Sequence, residues 1–130
     1  MQISHLDHLV LTVVDIDATV EFYTRVLGMQ GVTFGEGRKA LTFGHQKMNL
    51  HQAGRECEPK AERPTSGSAD LCFLIATPLD EAIAHLEAQG VSIIEGPVQR
   101  TGATGPIRSV YLRDPDQNLI ELSNSLESKA

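Results

Sequence analysis

The pattern of hydrophobic and polar positions divides the chain into short elements that follow the same order twice. Residues 6–14 (LDHLVLTVV) are apolar enough for a buried strand, and residues 70–76 (DLCFLIA) repeat the pattern. A helical pattern follows each of these strands, in residues 15–28 and 77–90, with apolar residues recurring every three to four positions. Three further strand-like runs follow each helix. The sequence therefore predicts two βαβββ modules.

The six later strands are short and are separated by turn residues. They are predicted at 29–36, 38–44 and 46–53 in the first half, and at 91–98, 107–113 and 118–124 in the second. The second half also contains a glycine- and threonine-rich excursion, RTGATG at 100–105, and a turn at DPDQ.

Capping residues predict where the helices begin and end. Asp15 or Asp17 can accept backbone N–H bonds at the start of the first helix. Thr77 can do the same for the second helix, with Pro78 at the first helical position. Gly28 can adopt the left-handed conformation that ends the first helix.

The two halves also share a spacing. His8 and Gly28 are twenty residues apart, as are Asp70 and Gly90, so the two halves align without a gap over this stretch. A duplicated unit is the simplest explanation.

We therefore expect one α+β domain, residues 1–130, built from two tandem modules. The modules are predicted at 1–53 and 69–125, and the polar, Pro/Gly/Ser-rich loop 54–68 joins them.

Charge and composition exclude several partners. The net charge of −6 is spread along the chain, and no Lys/Arg stripe predicts binding to nucleic acid or to an anionic membrane. The N-terminus lacks a signal-peptide pattern, and no run reaches the roughly 20 apolar residues of a membrane span. We expect a cytoplasmic protein in which Cys57 and Cys72 are reduced thiols.

Strand alternation places two ionisable side chains on the face away from the helices. In the first strand His8 alternates with the leucines, and in the last strand Glu121 alternates with Ile120 and Leu122. A carboxylate among apolar neighbours costs on the order of several kcal/mol unless a cation or hydrogen-bond donors compensate it. A bound metal ion is the simplest compensation.

Internal alignment extends this candidate metal site. KMNLHQ aligned with LIELSN places Asn49 at the position of Glu121, and Asp70 corresponds to His8. His51 lies two residues after Asn49, on the same face. The predicted metal ligands are His8, His51, Asp70 and Glu121, a set that suits divalent Fe, Mn, Ni, Co or Zn. Each also has an ordinary structural interpretation, such as a packed histidine or a strand-initiating aspartate.

Three residues of the second half are candidates for binding substrate. Arg100 and Arg108 flank the glycine-rich excursion and can bind a carboxylate or phosphate through bidentate contacts, although solvation at the surface is the alternative. Tyr111 can donate a proton, or it can belong to the core.

Several segments resemble a known superfamily. DHLVLTVVDIDATVEFYTRVLGM, ADLCFLIA before a capped helix, and RDPDQNLIEL are similar to the vicinal oxygen chelate superfamily, which holds glyoxalase I, fosfomycin-resistance proteins, extradiol dioxygenases and bleomycin-binding proteins. EGRKALTFG, NLHQAG and GPVQRTGATGPIRSVYLRDPDQNLIELSN resemble, more narrowly, glyoxalase domain-containing protein 5 and its bacterial relatives. The resemblance implies paired βαβββ modules that form a cup-shaped mixed sheet, usually in a homodimer, with a divalent metal inside.

The resemblance also implies roles for individual residues. His8 occupies the first-strand ligand position and Glu121 the last-strand position, where it is the candidate catalytic carboxylate. Asp70 falls where many members carry His, and Asn49 falls where glyoxalase I carries a ligating Glu that acts as a base. The Asn argues against methylglyoxal isomerisation, and His51 can substitute as the ligand.

The sequence thus predicts a metal-dependent enzyme that chelates vicinal oxygens of a small substrate, with the ion acting as a Lewis acid. Isomerase, lyase, transferase and ring-cleaving dioxygenase chemistry all remain open. The alternative is a protein that binds and sequesters a small molecule without turnover, of the bleomycin-resistance type.

Overall fold

The computed structural model describes residues 1–126, which form two compact units with the same order of elements. The first unit comprises Met1–Ser68, and the second begins at Ala69. The first contains β1 (His8–Val13), α1 (Ile16–Arg25), β2 (Gln30–Phe34), β3 (Arg38–Phe43) and β4 (Gln46–Gln52). The second contains β5 (Asp70–Leu74), α2 (Leu79–Ala88), β6 (Glu95–Thr101), β7 (Pro106–Arg113) and β8 (Leu119–Ser125). The predicted α+β class with two βαβββ modules is confirmed.

Each unit contains one four-stranded mixed sheet with the same topology. The strand orders are β1-β4-β3-β2 and β5-β8-β7-β6. In each sheet the first strand of the unit is parallel to the last, and the other pairs are antiparallel. His8 pairs with Lys47, and Asp70 pairs with Leu119, so the two sheets also share their register. This agreement matches the internal alignment and supports a duplicated unit.

Helix α1 covers one face of the first sheet. A Cβ atom added at Gly31 on β2 would lie 3.1 Å from Val20 Cγ1 of the helix. The strand residues on this face form the core of the unit: Leu11, Val13, Leu41, Met48 and Leu50 are buried. We call the opposite side of each sheet its helix-free face. Because side chains alternate along a strand, His8 lies on that face.

Helix α2 covers the corresponding face of the second sheet. Arg108 Nη1 on β7 lies 3.4 Å from Asp80 Oδ1 of the helix, and Asn124 Oδ1 on β8 accepts a hydrogen bond from Leu79 N–H at 2.7 Å. Four alternating residues of β7 and β8 are buried on this side: Val110, Leu112, Ile120 and Leu122. Glu121 therefore lies on the helix-free face of its own sheet.

The predicted helix ends are only partly confirmed. Asp15 caps α1 by accepting a hydrogen bond from Ala18 N–H at 3.1 Å, and Gly28 has a φ of 71°. The prediction that Thr77 caps α2 is wrong, because Pro78 is the capping residue and makes no side-chain bond. The Asn124 amide, brought to the helix by the end of β8, bonds the first N–H instead.

Asn124 and Gln52 occupy equivalent positions and bind the chain in the same way. Asn124 Nδ2 donates to the carbonyl oxygens of Ile75 at 3.1 Å and of Thr77 at 2.9 Å. Gln52 Nε2 donates to the carbonyl oxygens of Val13 and Val14. Each amide thus fastens the last strand of its unit to the segment that leads from the first strand to the helix.

The strand predicted at 91–98 is displaced. The observed β6 runs from Glu95 to Thr101. Arg100 therefore lies inside the strand, and the glycine-rich excursion predicted at 100–105 begins later than predicted. The register is irregular between Glu95 and Val98. Gly96 has a φ of 103°, and a Cβ atom there would clash with the carbonyl oxygen of Ser109. The apolar VSII run enters the sheet only through the bond from Ile94 N–H to Tyr111 O at 2.9 Å.

Two expectations about the chain as a whole can be compared with the structure. Cys57 and Cys72 are both free, as predicted. Across residues 1–126 no helix has the length and apolar character needed to cross a membrane. The limits predicted for the modules, and the single domain they were expected to form, stay predictions.

Candidate functional site

In the first unit, β4 presents a row of three polar side chains on the helix-free face. Lys47, Asn49 and His51 alternate along the strand, and Val10 and Thr12 of β1 pair with the last two. Asn49 and His51 are each only 6% exposed. Within residues 1–126, Asn49 Oδ1 and His51 Nδ1 are buried and have no hydrogen-bond partner. Unsatisfied buried polar atoms are uncommon and each requires an explanation.

His8 is oriented by the residue that precedes it. Its Nδ1 lies 2.8 Å from Asp7 Oδ2, and this hydrogen bond, the largest cause, lowers the pKa of the Asp7 carboxyl. The arrangement matches a carboxylate that accepts from Nδ1–H and leaves Nε2 as the lone-pair donor. The His8 side chain is 43% exposed, so Nε2 is not enclosed by the core of its unit.

Two cations meet one aromatic ring in the same unit. Lys47 Nζ lies 4.2 Å from the centroid of the Phe34 ring, and Arg38 Cζ lies 4.8 Å from it. Phe34 pairs with Arg38 across β2 and β3, on the helix-free face. Both distances are within the range of cation–π attraction.

The helix-free face of the second unit carries a connected chain of small polar groups. Ser109 and Ser123 share a hydrogen bond of 2.7 Å, and the Cys72 Sγ lies 3.3 Å from Ser123 Oγ. Cys72 pairs with Glu121 across β5 and β8. Burial raises the pKa of the Cys72 thiol, the bond to Ser123 lowers it, and the nearby Glu121 carboxylate raises it further.

The predicted substrate-binding residues divide between the two faces of this sheet. Tyr111 pairs with Glu121, and Arg100 Nε donates to Tyr111 Oη at 3.1 Å, so these lie on the helix-free face. Arg100 also forms an ion pair with Glu95. Arg108 lies on the opposite face, beside Asp80. The structure therefore groups Arg100 and Tyr111 with Glu121 and leaves Arg108 apart.

The predicted metal ligands lie on the expected faces of their own sheets. His8 and His51 share the helix-free face of the first unit, and Asp70 and Glu121 share that of the second. In the described part of the chain, no three His, Cys, Asp or Glu residues are grouped so that they could hold a metal ion. The four-residue ligand set stays a prediction.

The sequence interpretation missed three residues: Arg38 and Lys47 on the helix-free face of the first sheet, and Asp7, which bonds His8 from just before β1. Asp7 stands immediately before His8, and a carboxylate next to a candidate ligand is a recognisable indication of an orienting partner. Lys47 belongs to the same alternation as Asn49 and His51 and could have been included with them.

The chain is similar in sequence and in fold to several known proteins. The chain is 60% identical to virulence protein STM3117 of Salmonella typhimurium over 95% of this chain and 85% of that protein. The crystal structure of that protein superposes with a TM-score of 0.96, at 59% identity, over 97% of this chain and 100% of that one. The chain is also 57% identical to the glyoxalase domain-containing protein RDO1 of Mycosarcoma maydis, over 99% of this chain and 73% of that protein.

A more distant relative is the metallothiol transferase FosB of Staphylococcus epidermidis. It is 26% identical over 94% of this chain and 82% of that protein. The narrower resemblance to glyoxalase domain-containing protein 5 stays a prediction. The sequence model of the Glyoxalase/Bleomycin resistance protein/Dioxygenase superfamily matches residues 5–122. The chain therefore belongs to the Glyoxalase/Bleomycin resistance protein/Dioxygenase superfamily.

Proposed function

We propose that the protein is a divalent-metal-dependent enzyme that chelates vicinal oxygens of a small substrate. The hydrogen bond between His8 and Asp7 carries the proposal, because it orients the imidazole and leaves Nε2 as an available donor atom. The name of one relative, a metallothiol transferase, supports metal-dependent chemistry in a chain of this fold.

His8 and Glu121 are the proposed core of the ligand set, with His51 and Asp70 as the remaining ligands. Imidazole and carboxylate donors suit divalent Fe, Mn, Co, Ni or Zn. The buried His51 Nδ1 without a hydrogen-bond partner fits this proposal, because a metal-binding nitrogen does not need one. A bound ion would polarise the substrate oxygens and stabilise developing negative charge.

The other residues of the helix-free faces would position the substrate. Glu121 is the proposed catalytic carboxylate, because it lies on the helix-free face of its sheet and pairs with Tyr111 across β7 and β8. Arg100 fixes the Tyr111 hydroxyl through its Nε, which orients the phenol for contact with substrate. We give Arg108 no part in binding substrate, because it lies beside Asp80 on the helix-covered face.

The metal content of protein purified without chelators tests this proposal. We expect about one ion per chain in the wild type, and at least about a hundredfold weaker affinity in His8→Ala and Glu121→Gln. Asp7→Asn should weaken binding less, by about tenfold, because it acts only through the orientation of His8.

His45→Ala is the matched control, because it removes an exposed histidine from the β3–β4 turn of the same unit. Wild-type protein without metal near neutral pH, or an equal loss in His45→Ala, would contradict the proposal. Sequestration without turnover, the alternative function, would show as ligand binding by metal-free protein with no product. The homodimer and the cytoplasmic location stay predictions.

A further inference from the structure

We propose that Lys47 and Arg38 bind an anionic group of the substrate, and that Asn49 accepts a hydrogen bond from a hydroxyl or N–H group of the same molecule. The substrate class is then a small carboxylate or phosphate that also carries a hydrogen-bond donor. This inference rests on the proposed function, since it names the substrate class of that enzyme. Binding of an anion to Lys47 and Arg38 can nevertheless be measured on the metal-free protein.

The register shows how Lys47 reaches the ring. Lys47 pairs with Thr42, which pairs with Gln30, whereas Phe34 lies four residues further along β2. The Lys47 side chain must therefore cross the helix-free face diagonally, over Ala40, to bring its Nζ within 4.2 Å of the ring centroid. Ala40 is fully buried and small, which leaves room for the crossing. The ammonium group and the Arg38 guanidinium therefore contact the same ring.

Neither cation forms a direct ion pair with a carboxylate. In residues 1–126, the surface ion pairs join His8, Arg25, Lys60, Arg100 and Arg108 to acidic side chains, and none involves Lys47 or Arg38. The Asp7 carboxyl is bonded to His8, which is the largest cause of its lowered pKa, and the charge of Lys47 helps to lower that pKa without a direct ion pair. Two like charges held against one ring repel each other, and the cation–π attraction offsets this only in part. An anion bound by both groups would relieve the repulsion through charge-assisted hydrogen bonds.

Asn49 supplies the second half of the recognition. It lies on β4 between Lys47 and His51, and it pairs with Ala40, the residue over which the lysine crosses. Its Oδ1 is buried without a partner, which costs free energy unless a donor reaches it. The helix-free face of this unit therefore offers two cationic groups on one ring and an unsatisfied acceptor on the neighbouring strand.

Titration of the metal-free, full-length chain with inorganic phosphate tests the cationic part. We expect saturable binding that weakens as salt is added, and Lys47→Met and Arg38→Gln each to bind phosphate about tenfold more weakly. Lys39→Gln is the matched control, because Lys39 is the neighbour of Arg38 on β3, faces the other way and donates to Thr33 Oγ1 at 2.8 Å. It should bind phosphate as the wild type does.

Acetate and glycolate, which differ by one hydroxyl, test the role of Asn49. We expect the wild type to bind glycolate about fivefold more tightly than acetate, and Asn49→Leu to lose this preference while keeping its phosphate affinity. Thermal unfolding shows whether each variant is folded, and Arg38→Gln changes an exposed residue that leaves the core intact.

Several outcomes would overturn the inference. These are absence of saturable phosphate binding by the wild type, an equal loss in Lys39→Gln, or unchanged affinity in both Lys47→Met and Arg38→Gln. Equal binding of glycolate and acetate by the wild type would overturn the role of Asn49. Since these titrations contain no metal, their failure is distinguishable from failure of the metal-content experiment.

Discussion

The two sheets pair their strands in the same register, but the buried polar side chains on their helix-free faces differ in whether they have hydrogen-bond partners. In the second unit, Ser123 is bonded to both Ser109 and Cys72, so this buried part of the face is satisfied by the protein itself. In the first unit, Asn49 and His51 are buried and each keeps one polar atom without a partner. The same backbone topology therefore carries one face whose buried polar side chains bond one another, and one face on which two buried polar atoms have no hydrogen-bond partner.

The difference arises at equivalent positions. Asn49 corresponds to Glu121 and His51 corresponds to Ser123 in the internal alignment, and the pairing of the strands agrees with it. Because the second sheet folds with a satisfied serine where the first has an unsatisfied histidine, the fold does not require the unsatisfied group. Departures from polar satisfaction are expected at functional sites. The comparison therefore supports the proposed role of Asn49 and its neighbours on the first sheet in binding a ligand.

The largest effect that we predict concerns the turns between the last two strands. In the second unit, the buried Asn118 donates from its backbone N–H and its Nδ2 to Asp114 at 2.9 and 2.8 Å, and its Oδ1 accepts from Ala69 N–H at 2.9 Å. Asn118→Ala leaves Asp114 and Ala69 with lost partners and should lower the free energy of unfolding by about 3 kcal/mol.

The first unit provides the comparison for this variant, because its β3–β4 turn is short and contains no such network. His45→Ala in that turn should change the free energy of unfolding by less than about 0.5 kcal/mol. Urea unfolding of both variants measures the difference. Equal costs at the two turns would show that the buried Asp114–Asn118 pair does not set the stability of the second unit.

The next effect separates the two equivalent amides. Asn124→Ala removes three hydrogen bonds, including that to the first N–H of α2, and should cost about 2 kcal/mol. Gln52→Ala should cost about 1 kcal/mol or less, because the Val13 carbonyl keeps its bond from Ala53 N–H at 2.8 Å. Urea unfolding again gives the values. A larger decrease in the free energy of unfolding for Gln52→Ala than for Asn124→Ala would mean that capping of α2 by Asn124 contributes little to stability.

Sequence patterns predicted the fold well because the elements depend on local alternation and periodicity. The two modules, both helices and the face on which each candidate ligand lies follow from such patterns. The cap at Thr77 failed because Asn124, distant in sequence, satisfies the helix start. The start of β6 failed because apolar VSII resembles a strand but leads into the sheet at Ile94.

The candidate site was less predictable because it depends on where long side chains reach. No local pattern shows that Lys47 crosses the sheet to Phe34, since that contact joins residues two strands apart. The position of Arg108 could be predicted from the sequence, because strand alternation puts it on the face opposite to Tyr111.

The smallest predicted effect tests the contrast between the two helix-free faces most directly, because it has opposite signs in the two units. Asn49→Leu replaces an unsatisfied buried amide by an apolar group of similar size and should raise the free energy of unfolding by about 1 kcal/mol. Ser123→Ala removes the group that joins Ser109 to Cys72 and should lower it by about 1 kcal/mol. Urea unfolding measures both.

If Asn49→Leu destabilised the protein as much as Ser123→Ala, then Asn49 would be satisfied in solution and the contrast between the faces would disappear. If it instead stabilised the protein and also lost the preference for glycolate over acetate, the two results would have one cause. The amide that weakens the folded chain would then be the group that the ligand requires, because a hydrogen bond missing in the free protein is supplied on binding.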